Sequence, residues 1–176
     1  MKNNPIQVLL KEHEVISKLE QVIISLNDQW EKNEENYERT VIDICDFIQK
    51  YSDGYHHHKE EEVLFPALSE HPEFLLQGIL DELKEHHENF RDYNTEIRTA
   101  LEEKNYSLVQ TTLERLINEL MDHIAIENDE LFIMAENLFT EQELEKMYFD
   151  FADIDRDLGE ANKLELEKIP SEITLK

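Results

Sequence analysis

Apolar residues return along this chain at steps of three, four and seven, the period of helices that bury one face. Ile6, Leu9, His13, Ile16, Ile23 and Leu26 form the first such stripe, which predicts a helix from about Ile6 to Trp30 and then a polar loop over Glu31 to Asn36. A second helix carries Val41, Ile44, Ile48, His56, Glu60, Val63 and Ala67 on one stripe, with Gly54 inside it. Pro66 ends or kinks that helix, and Pro72 marks the loop beyond. A third helix runs from Phe74 to about Leu101, with Leu76, Leu80, Leu83, Phe90 and Ile97 inward, and Asn105 makes the next turn. The fourth places Val109, Leu113, Leu116, Leu120, His123, Glu127, Leu131 and Met134 on its stripe. Thr140-Glu141-Gln142-Glu143 reads as a capping box that opens a fifth helix with Leu144, Met147, Phe151 and Ile154. The polar residues beyond it are expected to form a loose tail.

The predicted fold is therefore all-α. It is an up-down-up-down four-helix bundle over residues 1–140, with a short additional C-terminal helix and polar tail over 141–176 packed on it. The aromatic face of the fifth helix is expected to pack on its own bundle; a second subunit, making a homodimer, is the alternative.

Four histidines and two glutamates stand in stripes that are otherwise apolar. His56 to Phe65 and His123 to Phe132 align without a gap: each has a His, a Glu four residues later, and a Leu-Phe pair. Residues at that spacing lie on one helix face with Cβ atoms roughly 5–6 Å apart, so an imidazole and a carboxylate can converge on one cation. The repeat extends to the other two helices. At offsets −7, −4, +3 and +10, His13 has Ile6, Leu9, Ile16 and Ile23, and His87 has Leu80, Leu83, Phe90 and Ile97. Each half of the chain thus offers a helix with one candidate ligand and a helix with two. A carboxylate in such a seam is costly to bury unless paired or bound to a metal. Imidazole with carboxylate and no thiolate suits iron, manganese or zinc, and two bridging carboxylates can hold two cations about 3.5–4 Å apart.

His57 follows His56 and is expected to swing toward the same metal as a seventh ligand, while His58 and His71 face water. His86 competes with His87: Lys84-Glu85-His86 mirrors Lys11-Glu12-His13, whereas the seam offsets favour His87, which is preferred. Tyr51, Tyr55 and Tyr93 either line the site or pack with their hydroxyls at the surface.

Composition narrows the function. The formal charge is −25, from 17 basic and 42 acidic side chains, which disfavours nucleic acid and anionic membranes as partners. Cys45 is the only cysteine, so a disulfide framework and a thiolate cluster are excluded. The start lacks the apolar run of a signal peptide and no segment reads as a membrane span, so a cytoplasmic location is expected.

The string His56-His57-His58-Lys59-Glu60-Glu61-Glu62-Val63-Leu64-Phe65-Pro66, with Leu10-Lys11-Glu12-His13 before it and His123 to Glu127 after it, resembles the hemerythrin-like, His-His-Glu cation-binding family. The resemblance covers roughly residues 6–140. It implies a four-helix bundle holding two non-haem iron ions, oxo- or hydroxo-bridged. His13, His56, His87 and His123 would be terminal ligands, Glu60 and Glu127 bridges, and His57 the extra ligand found in some members. It further implies a small-molecule ligand: dioxygen, nitric oxide or peroxide. The oxygen carriers of the family have two histidines four residues apart on the third helix, where this chain has Phe90 or Arg91 four past its tandem. They end on an Asp bridge, where it has Glu127. Both departures speak against reversible oxygen carriage. Binding or sensing of the small ligand, or of iron, is the leading expectation, and enzymatic reduction of peroxide or nitric oxide the alternative.

Overall fold

Asn4 starts the first helix by accepting a hydrogen bond from the Ile6 amide at 2.9 Å, with Pro5 in the first helical position where no amide proton is needed. In the computed structural model, which describes residues 3–173, this helix (α1) runs over Pro5–Ile16 and resumes as Leu19–Ser25. The break falls at Ser17, whose hydroxyl turns back onto the His13 carbonyl at 2.7 Å and competes with the helical ladder. The expected helix to Trp30 also stops short. Asp28 takes a left-handed conformation (φ 60°), and Trp30 sits in a single tight turn, packed edge-on to Tyr37.

Asn33 caps the second helix through the Asn36 amide at 3.0 Å. The helix (α2) begins as Glu34–Phe47 and continues through Ile48–His57 and Glu60–Leu64 to Phe65–Glu70. Its two middle stretches are π-helical, so amides there reach back five residues instead of four. The third helix (α3) spans Gln77–Glu102. The fourth (α4) spans Tyr106–Ile126, widens in the same way over Glu127–Leu131, and ends as Phe132–Leu138. The capping box forms as expected, with the Thr140 amide donating to Glu143 at 2.8 Å, and opens α5 (Glu141–Leu158). Two short helices follow, α6 (Glu160–Leu166) and α7 (Ile169–Glu172).

The wide turns correct the expected register. In α2 the buried residues beyond the histidines are Leu64, Phe65 and Leu68, while Val63 and Ala67 are only half-buried. In α4 Phe132 and Ala135 are buried and Met134 is not. Each widened turn takes an extra residue, so the inward face moves on by about one position. Pro66 does not stop α2, because it falls in the first turn of the closing α-helical segment. Leu76 precedes α3 and is exposed, whereas Phe74 is buried.

α3 packs along α4, α2 against α3, and α1 against both α2 and α4, so the four long helices close a ring. Two apolar cores fill it. Ile6, Leu9, Leu64, Phe65, Leu80, Leu83, Leu131 and Phe132 belong to one. Ile16, Leu19, Ile44, Tyr51, Phe90, Ile97, Leu116 and Leu120 belong to the other. Successive helices cross from one core to the other in alternating order, and His13, His56, Glu60, His87, His123 and Glu127 lie between the two. α5 covers α1 and α2, and α6 and α7 also rest on α2. Residues expected to form a loose tail therefore fold: Leu166 is buried, and Ile169 and Ile173 pack on the core.

Candidate metal centre

Between the cores the chain buries ionisable groups without exposing them to solvent. Glu60 and Glu127 are 0 % exposed, and His13, His56, His57, His87 and His123 are buried around them. The widened turns of α2 and α4 fall on the His-to-Glu pairs, and α1 and α3 bring in His13 and His87 from ordinary helical turns.

The ligand atoms fall into two groups. Those of His13, His56, Glu60 and Glu127 all lie within 4.8 Å of one another, and so do those of His57, Glu60, His87 and His123. Glu60 belongs to both: Oε1 is 3.4 Å from His56 Nε2, and Oε2 is 3.5 Å from His87 Nε2. Glu127 is divided likewise, with Oε2 3.2 Å from His13 Nε2 and Oε1 3.2 Å from His123 Nε2. Within the groups, the Nε2 atoms of His13 and His56 stand 2.9 Å apart, and those of His87 and His123 3.2 Å apart.

None of the four carboxylate oxygens has a hydrogen bond, and neither does His57 Nε2, although all five are buried. Buried polar atoms are almost always satisfied. Five unsatisfied atoms converging with four imidazole nitrogens fit bound metal, since lone pairs that repel one another are what a cation draws together. The charge balance agrees. Burial, with Glu127 next to it, pushes the Glu60 carboxyl well above its ordinary range. Burial and the facing His13 lower His56 to about 4, and burial and His87 hold His57 well below the usual imidazole value, so both are neutral donors.

A second set of residues orients the imidazoles from behind. Asn128 Oδ1 lies 2.7 Å from His13 Nδ1, Glu61 Oε1 2.7 Å from His87 Nδ1, and Glu12 Oε2 3.1 Å from His56 Nδ1. Asp53 Oδ1 lies 3.3 Å from His57 Nδ1, and His86 Nδ1 3.3 Å from His123 Nδ1. A partner on Nδ1 turns Nε2 inward as the lone-pair nitrogen. Burial would raise Glu12, but His56, Lys59 and Lys163 outweigh it and hold the carboxyl far below its ordinary value. Glu61 is likewise lowered to about 2, with burial opposing and the contacts with His87 and Arg91 prevailing.

The structure separates the tandem histidines. His87 faces the cluster, and His86 stands behind His123, half-exposed. His57 is inward as expected but turns away from His56, stacking on His87 of α3 at 3.7 Å. Its place is in the other group because it lies a further step round the widened helix. His58 is exposed; His71 is half-buried, edge-on to Phe139. The three tyrosines do not reach the cluster. Tyr51 donates to Glu167, Tyr55 to the Leu158 and Gly159 carbonyls, and Tyr93 to Glu119.

Sequence reasoning passed over Glu12, Lys59, Asp53, Glu61 and Asn128. The available signal was position: Glu12 and Asn128 adjoin candidate ligands, and Asp53 sits one turn before His57. Lys59 is 0 % exposed, donating to Glu12 at 2.6 Å and pairing with Asp155 of α5 at 2.6 Å; Lys163 of α6 reaches Glu12 at 2.6 Å.

Among the described residues no helix is long and apolar enough to cross a membrane. Comparison with curated proteins and with solved structures gave no match. The family model described as the hemerythrin HHE cation binding domain matches residues 4–135, and a second time 78–173. Its first match takes in the whole histidine and glutamate layer, and the chain belongs to the hemerythrin HHE cation-binding domain family.

Proposed function

We propose that the protein holds two iron ions in the polar layer and uses them to bind or sense a small ligand such as dioxygen, nitric oxide or peroxide. The observation that carries this reading is the division of Glu60 and Glu127, each with one oxygen toward each imidazole group. Two ferrous ions so held would supply a redox-active centre with affinity for such ligands.

The chain's own part is to keep the donors fixed and dry. His13 and His56 with Glu60 and Glu127 would hold one ion; His57, His87 and His123 with Glu60 would hold the other, where Glu127 also reaches His123. Phe132, stacked on His13 at 5.4 Å, and Phe65, stacked on His87 at 5.9 Å, shield the layer from water. The alternative, turnover of peroxide or nitric oxide, needs protons delivered to the centre. The tyrosine hydroxyls that could serve are committed elsewhere, which favours binding over turnover.

Anaerobic reconstitution followed by iron analysis tests the reading. Two ions per chain, with a near-ultraviolet band after oxidation, are expected. A saturating content below one ion per chain would sink the di-iron proposal, and sustained peroxide or nitric oxide consumption would shift the reading to the enzyme.

A further inference from the structure

α2 and α3 leave a cavity of about 350 Å³ beside the metal layer, lined by Ile48, Gln49, Asp53, Phe90 and Arg98 among others. Of the clustered imidazoles, only His57 lines it. We propose that this cavity is the port by which an uncharged small ligand reaches the centre, and that His57 is an exchangeable ligand that yields its position to the entrant. The proposal rests on the two-metal reading above.

His57 is the imidazole built to move. Its Nδ1 is 3.3 Å from Asp53 Oδ1, as far as His123 stands from His86 and farther than the 2.7 Å of the His13 and His87 anchors. That Asp53 oxygen is also claimed by Arg91, which donates to it from Nε at 3.0 Å and pairs with it through a terminal nitrogen at 2.7 Å. The ring lies nearly parallel to His87, at 13°, and near-parallel to Phe90 at 6.1 Å. Movement within its own plane therefore keeps the ring stacked on its aromatic neighbours. It also sits in the group with three imidazoles, where losing one leaves His87 and His123 with Glu60, and with Glu127 beside His123.

The wall sets the ligand class. Arg91 is paired with Asp53, Glu61 and Glu88, and Arg98 with Asp46, Asn94 and Gln49. Neither guanidinium is left to hold an anion, and the −25 charge of the chain repels anions from the approach. Two fixed guanidiniums equally oppose a metal cation. Ile48 and Phe90 add apolar wall. What passes is small and uncharged, as nitric oxide, dioxygen and hydrogen peroxide are.

Gln49 and Thr95 line the cavity and are exposed, and neither touches the clustered histidines or glutamates. Stopped-flow mixing of nitric oxide with the iron-loaded protein compares wild type, Gln49→Trp/Thr95→Trp and His57→Ala. Filling the cavity should slow association by about tenfold or more while iron content and resting spectrum stay unchanged. Removing the His57 imidazole should speed association and shift the spectrum with iron retained. An unchanged rate in the filled variant overturns the port, and an unchanged or slower rate in His57→Ala overturns the exchange. If loaded wild type with two irons binds no nitric oxide, the ligand-binding reading itself fails and takes the port with it.

Discussion

Lys59 and Glu12 meet in a buried ion pair at 2.6 Å, and the second oxygen of Glu12 faces His56 Nδ1 at 3.1 Å. One carboxylate thus joins a buried cation to a candidate metal ligand. Removing one member of a buried pair costs up to about 3–5 kcal/mol, of which Asp155, still 2.6 Å from Lys59, offsets a part. Glu12→Ala should therefore lower the denaturant midpoint of the metal-free protein sharply, and the double change Glu12→Gln with Lys59→Met should recover much of the loss. In the iron-loaded protein Glu12→Gln should weaken iron binding by roughly 10–100-fold, since the His56 tautomer is less well held. A midpoint unmoved by Glu12→Ala would contradict the burial of the pair.

Glu60→Gln should act in opposite directions on the two forms. Without metal, burial and Glu127 disfavour the Glu60 carboxylate, so a neutral amide should leave the thermal midpoint equal or raise it. With iron, the same change removes a bridge and should cost occupancy at both positions. Calorimetry with and without iron checks the sign. A fall of the metal-free midpoint matching that of the loaded protein would refute the charge argument.

The metal-free protein should lose stability on mild acidification. His56 is lowered from 6.5 to about 4, so above 6.5 neither folded nor unfolded chain carries its proton and the contribution is whole. As pH falls through 6.5 the unfolded chain takes up the proton and the folded chain does not. The loss accumulates until about pH 4, to the order of 3 kcal/mol. Glu60, raised in the folded state, has the opposite slope: its penalty appears as pH rises above the ordinary carboxylate value. Metal-free Glu60→Gln removes that opposing trend, and its urea midpoint measured from pH 7 to pH 4 should fall more steeply than the wild type's.

Leu64 and Val63 test the register. Leu64→Ala removes a buried side chain and should cost about 2–5 kcal/mol, while Val63→Ala, at a half-buried position, should cost about 1 kcal/mol or less. Equal effects in chemical denaturation would argue for an unwidened helix.

That register marks where the sequence stopped being legible. The four stripes and the two His-to-Glu pairs are periodic, and periodicity carries the helices, their order and the layer of ionisable groups between the cores. A π-helical turn leaves no such trace, because one residue is absorbed with no change in composition, and the inward face moved from Val63 to Leu64 unannounced. The same widening sent His57 to the group opposite His56. Residues 160–173 misled for another reason. Leu164 is exposed and few apolar residues remain, so their docking depends on Lys163 meeting Glu12, Glu167 meeting Tyr51, and Leu166 and Ile169 meeting the core. Long-range pairings of that kind cannot be read from local pattern. For the three tyrosines the sequence left open both lining the site and packing with the hydroxyl outward, and their hydroxyls fasten helices to one another.

The meeting of Lys163 with Glu12 also bears on when the centre can be completed. Lys163 leaves the ribosome long after Glu12, and contacts between such distant parts of a chain form late in folding. Until α6 arrives, Glu12 lacks one of its two cationic partners and His56 is held less firmly. A chain in which α6 has not yet docked would thus present histidines and carboxylates without the full clamp behind them, which places secure iron capture after that docking.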